Sequence, residues 1–257
     1  MAYRYPVQVT GDLDEPLSRW LWLVKWLLAI PHLVVLFFLY LAFLVLSIVA
    51  FFAILITARY PRGIFTFNVG VMRWSWRVSF YTYSALGTDR YPPFTLRDVP
   101  DYPAHLEIDY PERLSRGLVL VKWWLLAIPH YIVVGLIVTG TSSVATTASG
   151  GEVTASTPGL VSVLVFFAGV ILLFKGRYPQ PLFDLVVGLN RWSLRVSGYA
   201  ALMTDVYPPF RLDQGGREEE PAPSAGPGGT EPTWTGPGGA GPGGAGPDPV
   251  PPFAPPA

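Results

Sequence analysis

From Trp20 to Ala58 nearly every position is apolar, and the stretch carries one charge, Lys25. A second apolar run, Gly117 to Thr139, is followed by a third, Leu160 to Phe174. About 18 or more consecutive apolar residues make a candidate transmembrane helix, and the first run is about twice that long. Between the second and third runs lies G-T-S-S-V-A-T-T-A-S-G-G-E-V-T-A-S-T-P-G, Gly140 to Gly159, whose composition reads as a polar loop. Each piece flanking it is about one bilayer crossing. Carrying the same division into the first run predicts two crossings there, joined by a tight turn near Phe38 to Ala42. A competing reading has an interfacial helix up to Ile30 and one long crossing from His32 to Ala58. Leu17, Leu21, Val24 and Leu28 share a helical face opposite Ser18, Trp22 and Lys25, which suits it.

The chain repeats itself. L-S-R-W-L-W-L-V-K-W-L-L-A-I-P-H (Leu17 to His32) returns as L-S-R-G-L-V-L-V-K-W-W-L-L-A-I-P-H (Leu114 to His130), with Trp124 as an extra residue. R-Y-P at Arg59 to Pro61 returns at Arg177 to Pro179, R-W-S-W-R-V-S (Arg73 to Ser79) as R-W-S-L-R-V-S (Arg191 to Ser197), and T-D-R-Y-P-P-F (Thr88 to Phe94) as T-D-V-Y-P-P-F (Thr204 to Phe210). A helical hairpin per copy leaves both copies in the same orientation, whereas one crossing per copy inverts the second. With the termini on one side, hairpins also gather the Lys and Arg residues on that side, which basic-residue bias makes cytoplasmic.

The pattern therefore predicts an all-α membrane protein of two tandem transmembrane helical hairpins, four crossings in all. Each hairpin is followed by an interfacial amphipathic helix, and a small cytoplasmic β-cap completes the plan. Copy one covers 1–98, with helices about 17–38, 41–58 and 64–86; copy two covers 99–213, with helices about 114–139, 159–175 and 182–202. Phe67, Val71, Trp74, Val78, Tyr81 and Ala85 share a helical face beside Arg73 and Arg77; Val186, Leu189, Trp192 and Val196 run beside Arg191 and Arg195. Such helices suit the membrane surface, with Arg heads at lipid phosphates and Trp rings at headgroup depth. Pro6 to Thr10, Phe94 to Arg97, Ala104 to Asp109 and Phe210 to Asp213 read as short strands, pairing the start of each copy with an end. The Gly/Pro/Ala-rich tail, 214–257, has too few apolar groups to offset ordering entropy and reads as disordered.

The sequence is 51% hydrophobic and only 14% charged, roughly half the charged share of soluble domains, which reinforces the membrane address. No short apolar leader precedes a small-residue cleavage site, so no signal peptide is expected. There is no cysteine, which removes thiolate metal ligands, disulfides and cysteine nucleophiles. A net charge of zero gives no reason to expect nucleic acid.

Lys25 and Lys122 stand out, because a charge in hydrocarbon costs roughly 2.5–3.5 kcal/mol or more. Each reads as a snorkelling interface anchor or as a cation site for an anionic headgroup. Pro31 and Pro129 should kink the first helix of each copy. His32 and His130, one per copy, suggest hydrogen bonding to freed carbonyls, with proton relay or axial haem ligation as alternatives. Asp89 and Asp205 read as turn residues rather than paired catalytic acids. Asp12, Glu15, Asp109 and Glu112 suggest caps for each first helix, and His105, without a counterpart, a surface residue. No phosphate loop, zinc pattern, nucleophile elbow or catalytic triad is visible, so no cofactor, metal or catalytic residue is assigned.

W-L-L-A-I-P-H with a downstream R-Y-P and a later R-W-x-x-R-V resembles a family of small, mainly actinobacterial membrane proteins catalogued only as a domain of unknown function. The matching segments are Trp26 to His32 and Trp124 to His130, Arg59 to Pro61 and Arg177 to Pro179, and Arg73 to Val78 and Arg191 to Val196. The resemblance implies a bacterial cell membrane location and supplies no reaction. The expected function is a non-enzymatic scaffold or accessory subunit binding anionic lipid, a membrane protein partner or a second copy of itself. A small transporter or channel component is the alternative, and a haem-binding or other enzyme a further one.

Overall fold

In the computed structural model, residues 4–146, 152–210, 212 and 215 are described. The 214–257 tail, Gly215 apart, lies outside them, as do Arg211 and Asp213 of the last expected strand.

One helix, α1, runs without interruption over Lys25–Thr57, 33 residues. This corrects the expected turn near Phe38 to Ala42. Nothing in that stretch breaks a helix: it has no Gly, and Pro31, the one proline, sits near the start inside the helix. Ala58 closes α1 with a left-handed backbone, φ 58°, and R-Y-P turns the chain into α2, Arg62–Tyr81. Helix α2 returns along α1, with Asn68 bonded to Ser47 at 3.2 Å and Tyr40 to Ser75 at 2.6 Å.

Copy two follows the same plan with two interruptions. Its first helix, α3, spans Arg116–Thr139. It widens to π geometry over Lys122–Leu126, where the extra Trp124 falls, and again over Gly135–Thr139. A π-turn absorbs one added residue within a helix. Lys122 and His130, one residue further apart than Lys25 and His32, are therefore both still buried. The Gly140 to Gly159 segment, expected as a loop, forms antiparallel strands β3 (Thr141–Thr146) and β4 (Glu152–Thr157). Helix α4, Leu160–Lys175, then resumes, and α5, Gln180–Ala200, returns as α2 does.

The start of α3 meets the end of α1, where Leu114 N–H donates to Ala58 O at 2.9 Å. The end of α4 meets the start of copy one: a Cβ on Gly169 would lie 3.1 Å from the Trp22 ring, and one on Gly176 would lie 2.6 Å from the Arg19 guanidinium. Thus α3 and α4 together form a rod running antiparallel to α1. The copies are opposed, as in the competing single-helix reading, and do not share one orientation.

Strand β1, Val7–Gly11, pairs antiparallel with β2, Ala104–Ile108, with Val9 opposite Leu106 at the centre of the register. The copies thus pair start with start, where start with end was expected. Phe94 to Arg97 forms no strand; its carbonyls are used differently, as described below. Val7, Val9, Ala104 and Leu106 pack beneath α2 and α5 in the main core.

The ribbon centre carries the largest predicted effect on stability. Leu106 is fully buried, so Leu106→Ala should cost about 2–5 kcal/mol, read as a lowered Tm in mild detergent. Glu107→Ala, on the exposed face of the same strand, should stay within about 0.5 kcal/mol.

Candidate functional site

Each copy places the single lysine of its first long helix, Lys25 in α1 and Lys122 in α3, against its T-D-x-Y-P-P-F segment. Lys25 Nζ lies 2.8 Å from Asp89 Oδ1 and donates to Thr88 O at 2.7 Å. Lys122 Nζ lies 2.8 Å from Asp205 Oδ1 and donates to Thr204 O at 3.0 Å. The second carboxylate oxygen accepts a backbone N–H at the start of the copy: Ser18 N at 2.5 Å from Asp89, and Ser115 N at 2.6 Å from Asp205. The ammonium groups also lie over Tyr81 at 4.8 Å and Tyr199 at 5.6 Å. Both lysines are wholly buried, so neither snorkels to the surface. Asp89 and Asp205 are neither local turn ligands nor paired acids; each neutralises a distant lysine and caps a distant chain segment. The caps expected from Asp12, Glu15, Asp109 and Glu112 are replaced by these bonds and by Ser115, whose Oγ accepts Leu118 N–H at 3.3 Å. Glu112 instead lies 3.7 Å from Arg62 in an exposed pair.

About two turns further along, each histidine sits in an aromatic cage. His32 stacks on Phe94 at 4.0 Å, with Tyr91 at 4.8 Å and Trp74 at 5.9 Å. His130 meets Phe210 at 4.1 Å, Tyr207 at 4.8 Å and Trp192 at 5.9 Å. Trp74 Nε1 donates to His32 Nδ1 at 3.2 Å, and His130 Nε2 pairs with Pro208 O at 3.0 Å. His32 Nε2, His130 Nδ1 and Trp192 Nε1 have no hydrogen-bond partner among the described residues. Each cage makes one of two bonds, Trp to Nδ1 or Nε2 to a proline carbonyl. The rings therefore join the long helix to the Y-P-P-F segment of the same copy rather than facing each other.

The arginines expected at lipid phosphates point inward. Arg77, Arg191 and Arg195 are at most 1% exposed, and Trp74 and Trp192 are buried. The helices carrying them are central because both the apolar and the basic face find partners inside. Arg73 Nε donates to Leu106 O at 3.0 Å, and Arg191 Nε to Val9 O at 2.8 Å. Each arginine thus bonds the other copy's strand at the centre of the ribbon. Arg77 donates to Arg97 O at 2.8 Å and also to Thr95 O. Burial, and secondarily the nearby Arg73 charge, push the Arg77 pKa down from its ordinary value, yet a guanidinium keeps its proton. Tyr5, which the sequence did not single out, donates to Val206 O at 3.1 Å, and Tyr102 to Arg90 O at 3.2 Å, again each into the opposite copy. Burial raises the Tyr102 hydroxyl above its usual range, which keeps it a donor. Each of these tyrosines begins a Y-P dipeptide near the start of its copy, Tyr5–Pro6 and Tyr102–Pro103. His105 lies half-exposed beside Asp98 at 3.3 Å.

Among the described residues no group of His, Asp and Glu is placed to hold a metal. The lysine–aspartate pairs join two segments, with each ammonium buried and each carboxylate partly exposed. Removing one partner of such a buried pair should cost about 3–5 kcal/mol, because the other charge is left uncompensated. Lys25→Met and Asp89→Asn should each lower the Tm strongly, and the double variant should regain most of the loss. Lys122 and Asp205 should behave alike. A double variant as unstable as the sum of the singles would contradict the pairing.

No curated protein and no solved structure matches the chain. A family model described as a domain of unknown function matches residues 19–95 and 153–211. The first segment takes in Lys25, His32, Arg73, Arg77 and Asp89 with their partners up to Thr95, and the second takes in Arg191, Arg195, Asp205 and Phe210. With just over half of its length matched in this way, the chain belongs to the DUF4389 family.

Proposed function

We propose that this protein is a non-catalytic scaffold of a bacterial cell membrane, built by tandem duplication, with its termini on the cytoplasmic side. The observation that carries this reading is how the motif is spent. In both copies the lysine, aspartate, histidine and arginine side chains bind one another, aromatic rings or backbone carbonyls within the fold. The outward side of the long helices, in contrast, is apolar. Trp26, Leu27, Ile30, Leu33, Phe37 and Phe38 are all exposed on α1 alone. Two helices, Lys25–Thr57 and Arg116–Thr139, are long and apolar enough to span a membrane. Contiguous exposed apolar surface on this scale needs lipid or a partner to cover it.

The partner of choice is lipid with anionic headgroups, met by the exposed Arg19, Arg59, Arg62, Arg113, Arg116, Lys175 and Arg177 at the ends of the helices. These take the role that the sequence pattern gave to Arg73, Arg77, Arg191 and Arg195. A membrane protein partner or a second copy would compete for the same apolar faces.

The test has two readings. The protein should remain in the membrane fraction after an alkaline wash; release into the soluble fraction contradicts the proposal. Phospholipid retained through purification in mild detergent should be enriched in anionic species. Changing Arg59, Arg62, Arg113 and Arg116 together to Gln should cut that enrichment several-fold, at about 1 kcal/mol per basic residue near a charged surface. Arg191→Gln should instead lower the Tm and leave the lipid ratio unchanged.

A further inference from the structure

The length of α1, the place where its counterpart is interrupted and the charges at its ends all bear on how the molecule meets the bilayer. At 1.5 Å per residue the 33 residues of α1 measure about 50 Å. The hydrocarbon core is about 30 Å thick. To fit across it, the axis would have to lean by about 50°, beyond the roughly 0–40° of spanning helices.

The antiparallel rod raises a second difficulty for an upright placement. Its strands β3 and β4 leave between Thr139 and Leu160, which correspond to Leu41 and Ala42, the midpoint of α1. Upright, a two-stranded pair with both edges open would lie at the bilayer centre, where unpaired backbone groups cost several kcal/mol each. The charges add a third. Arg19, Lys175 and Arg177 lie at one end of the rods; Arg59, Arg62, Arg113 and Arg116 lie at the other. Upright, they would be split between the two sides of the membrane, against the bias that gathers basic residues on one.

We infer that both rods lie in the plane of the membrane, sunk into the cytoplasmic leaflet, with the axis relating the copies along the membrane normal. This rests on the membrane reading above. The burial pattern of α1 fits it. Lys25, Ala29, His32, Leu36, Ala50 and Ile54 form one buried stripe facing α2 and the Y-P-P-F segment. Leu27, Val34, Phe38, Leu41, Phe52 and Ile56 form an exposed apolar arc on the opposite side of the helix. Laid flat, that arc meets acyl chains along its whole length, while α2, α5 and the β1–β2 ribbon face the cytoplasm. Both sets of basic residues then reach headgroups of the same leaflet, and β3–β4 can leave the rod into water. The occupant of this face is a single lipid leaflet, wedged open by α1, about 50 Å long, and by the α3–α4 rod beside it.

The chain has no cysteine, so single-cysteine variants report cleanly. Glu15→Cys, Arg62→Cys and Ser156→Cys are at exposed positions. In intact bacterial cells expressing the full chain, a membrane-impermeant maleimide should label none of them, and after permeabilisation it should label all three. Glu15 and Arg62 on opposite sides would establish an upright rod and overturn the inference. Ser156 labelled in intact cells, with Glu15 and Arg62 protected, would show copy two crossing the membrane and would overturn it too. Recovery of the variants in the soluble fraction would overturn the membrane reading itself, and the inference with it.

Discussion

Each copy of the motif is completed by the other through one antiparallel ribbon. Val9 and Leu106 face each other at its centre, and each carbonyl accepts the Nε–H of an arginine from the opposite copy, Arg191 to Val9 and Arg73 to Leu106. The remaining arrangement depends on this exchange. It gives each guanidinium group a backbone carbonyl as acceptor, which burial demands, and Arg73 also has the Asp98 carboxylate 3.8 Å away. It also opposes the copies, so that α1 and the α3–α4 rod run in opposite directions with their ends joined at Ala58–Leu114 and Arg19–Gly176.

Within each copy a second fastening fixes the long helix to the loop that follows its partner helix. The lysine is the single charge in an apolar stretch. It is tolerated because Asp89 or Asp205 stands 2.8 Å away and a threonine carbonyl completes its shell. Two turns on, the histidine and its aromatic neighbours hold the same loop. A buried ion pair is weak evidence for net stability but strong evidence for a fixed geometry, since either charge alone is costly. The family motif therefore reads as a set of internal joints, and the surface left for other molecules is mainly the apolar side of the rods and the basic residues at their ends.

Much of this was legible in the chain. The repeated words gave the equivalence of Lys25 with Lys122 and of His32 with His130, and the extra Trp124 marked the place of the π-turn. The turn in copy one was not legible, because an insertion between two apolar runs reads the same whether it joins two helices or interrupts one. The destination of the arginines was hidden for a related reason. A basic face beside an apolar face is the pattern of a surface helix, and the acceptors that draw Arg77 and Arg191 inward are main-chain carbonyls, which carry no residue signature. The Lys25–Asp89 joint was half visible: an isolated charge in an apolar run needs a counter-charge, and T-D recurs once per copy.

The continuity of α1 decides among all of these readings, because an unbroken rod opposes the two copies and a hairpin aligns them. Spin labels on Arg19→Cys and Arg59→Cys in the otherwise cysteine-free chain, reconstituted in lipid, measure it directly by pulsed dipolar spectroscopy. An unbroken α1 holds the labels about 50 Å or more apart. A separation within about 20 Å, as in a hairpin whose helices pack about 8–10 Å apart, would contradict the account.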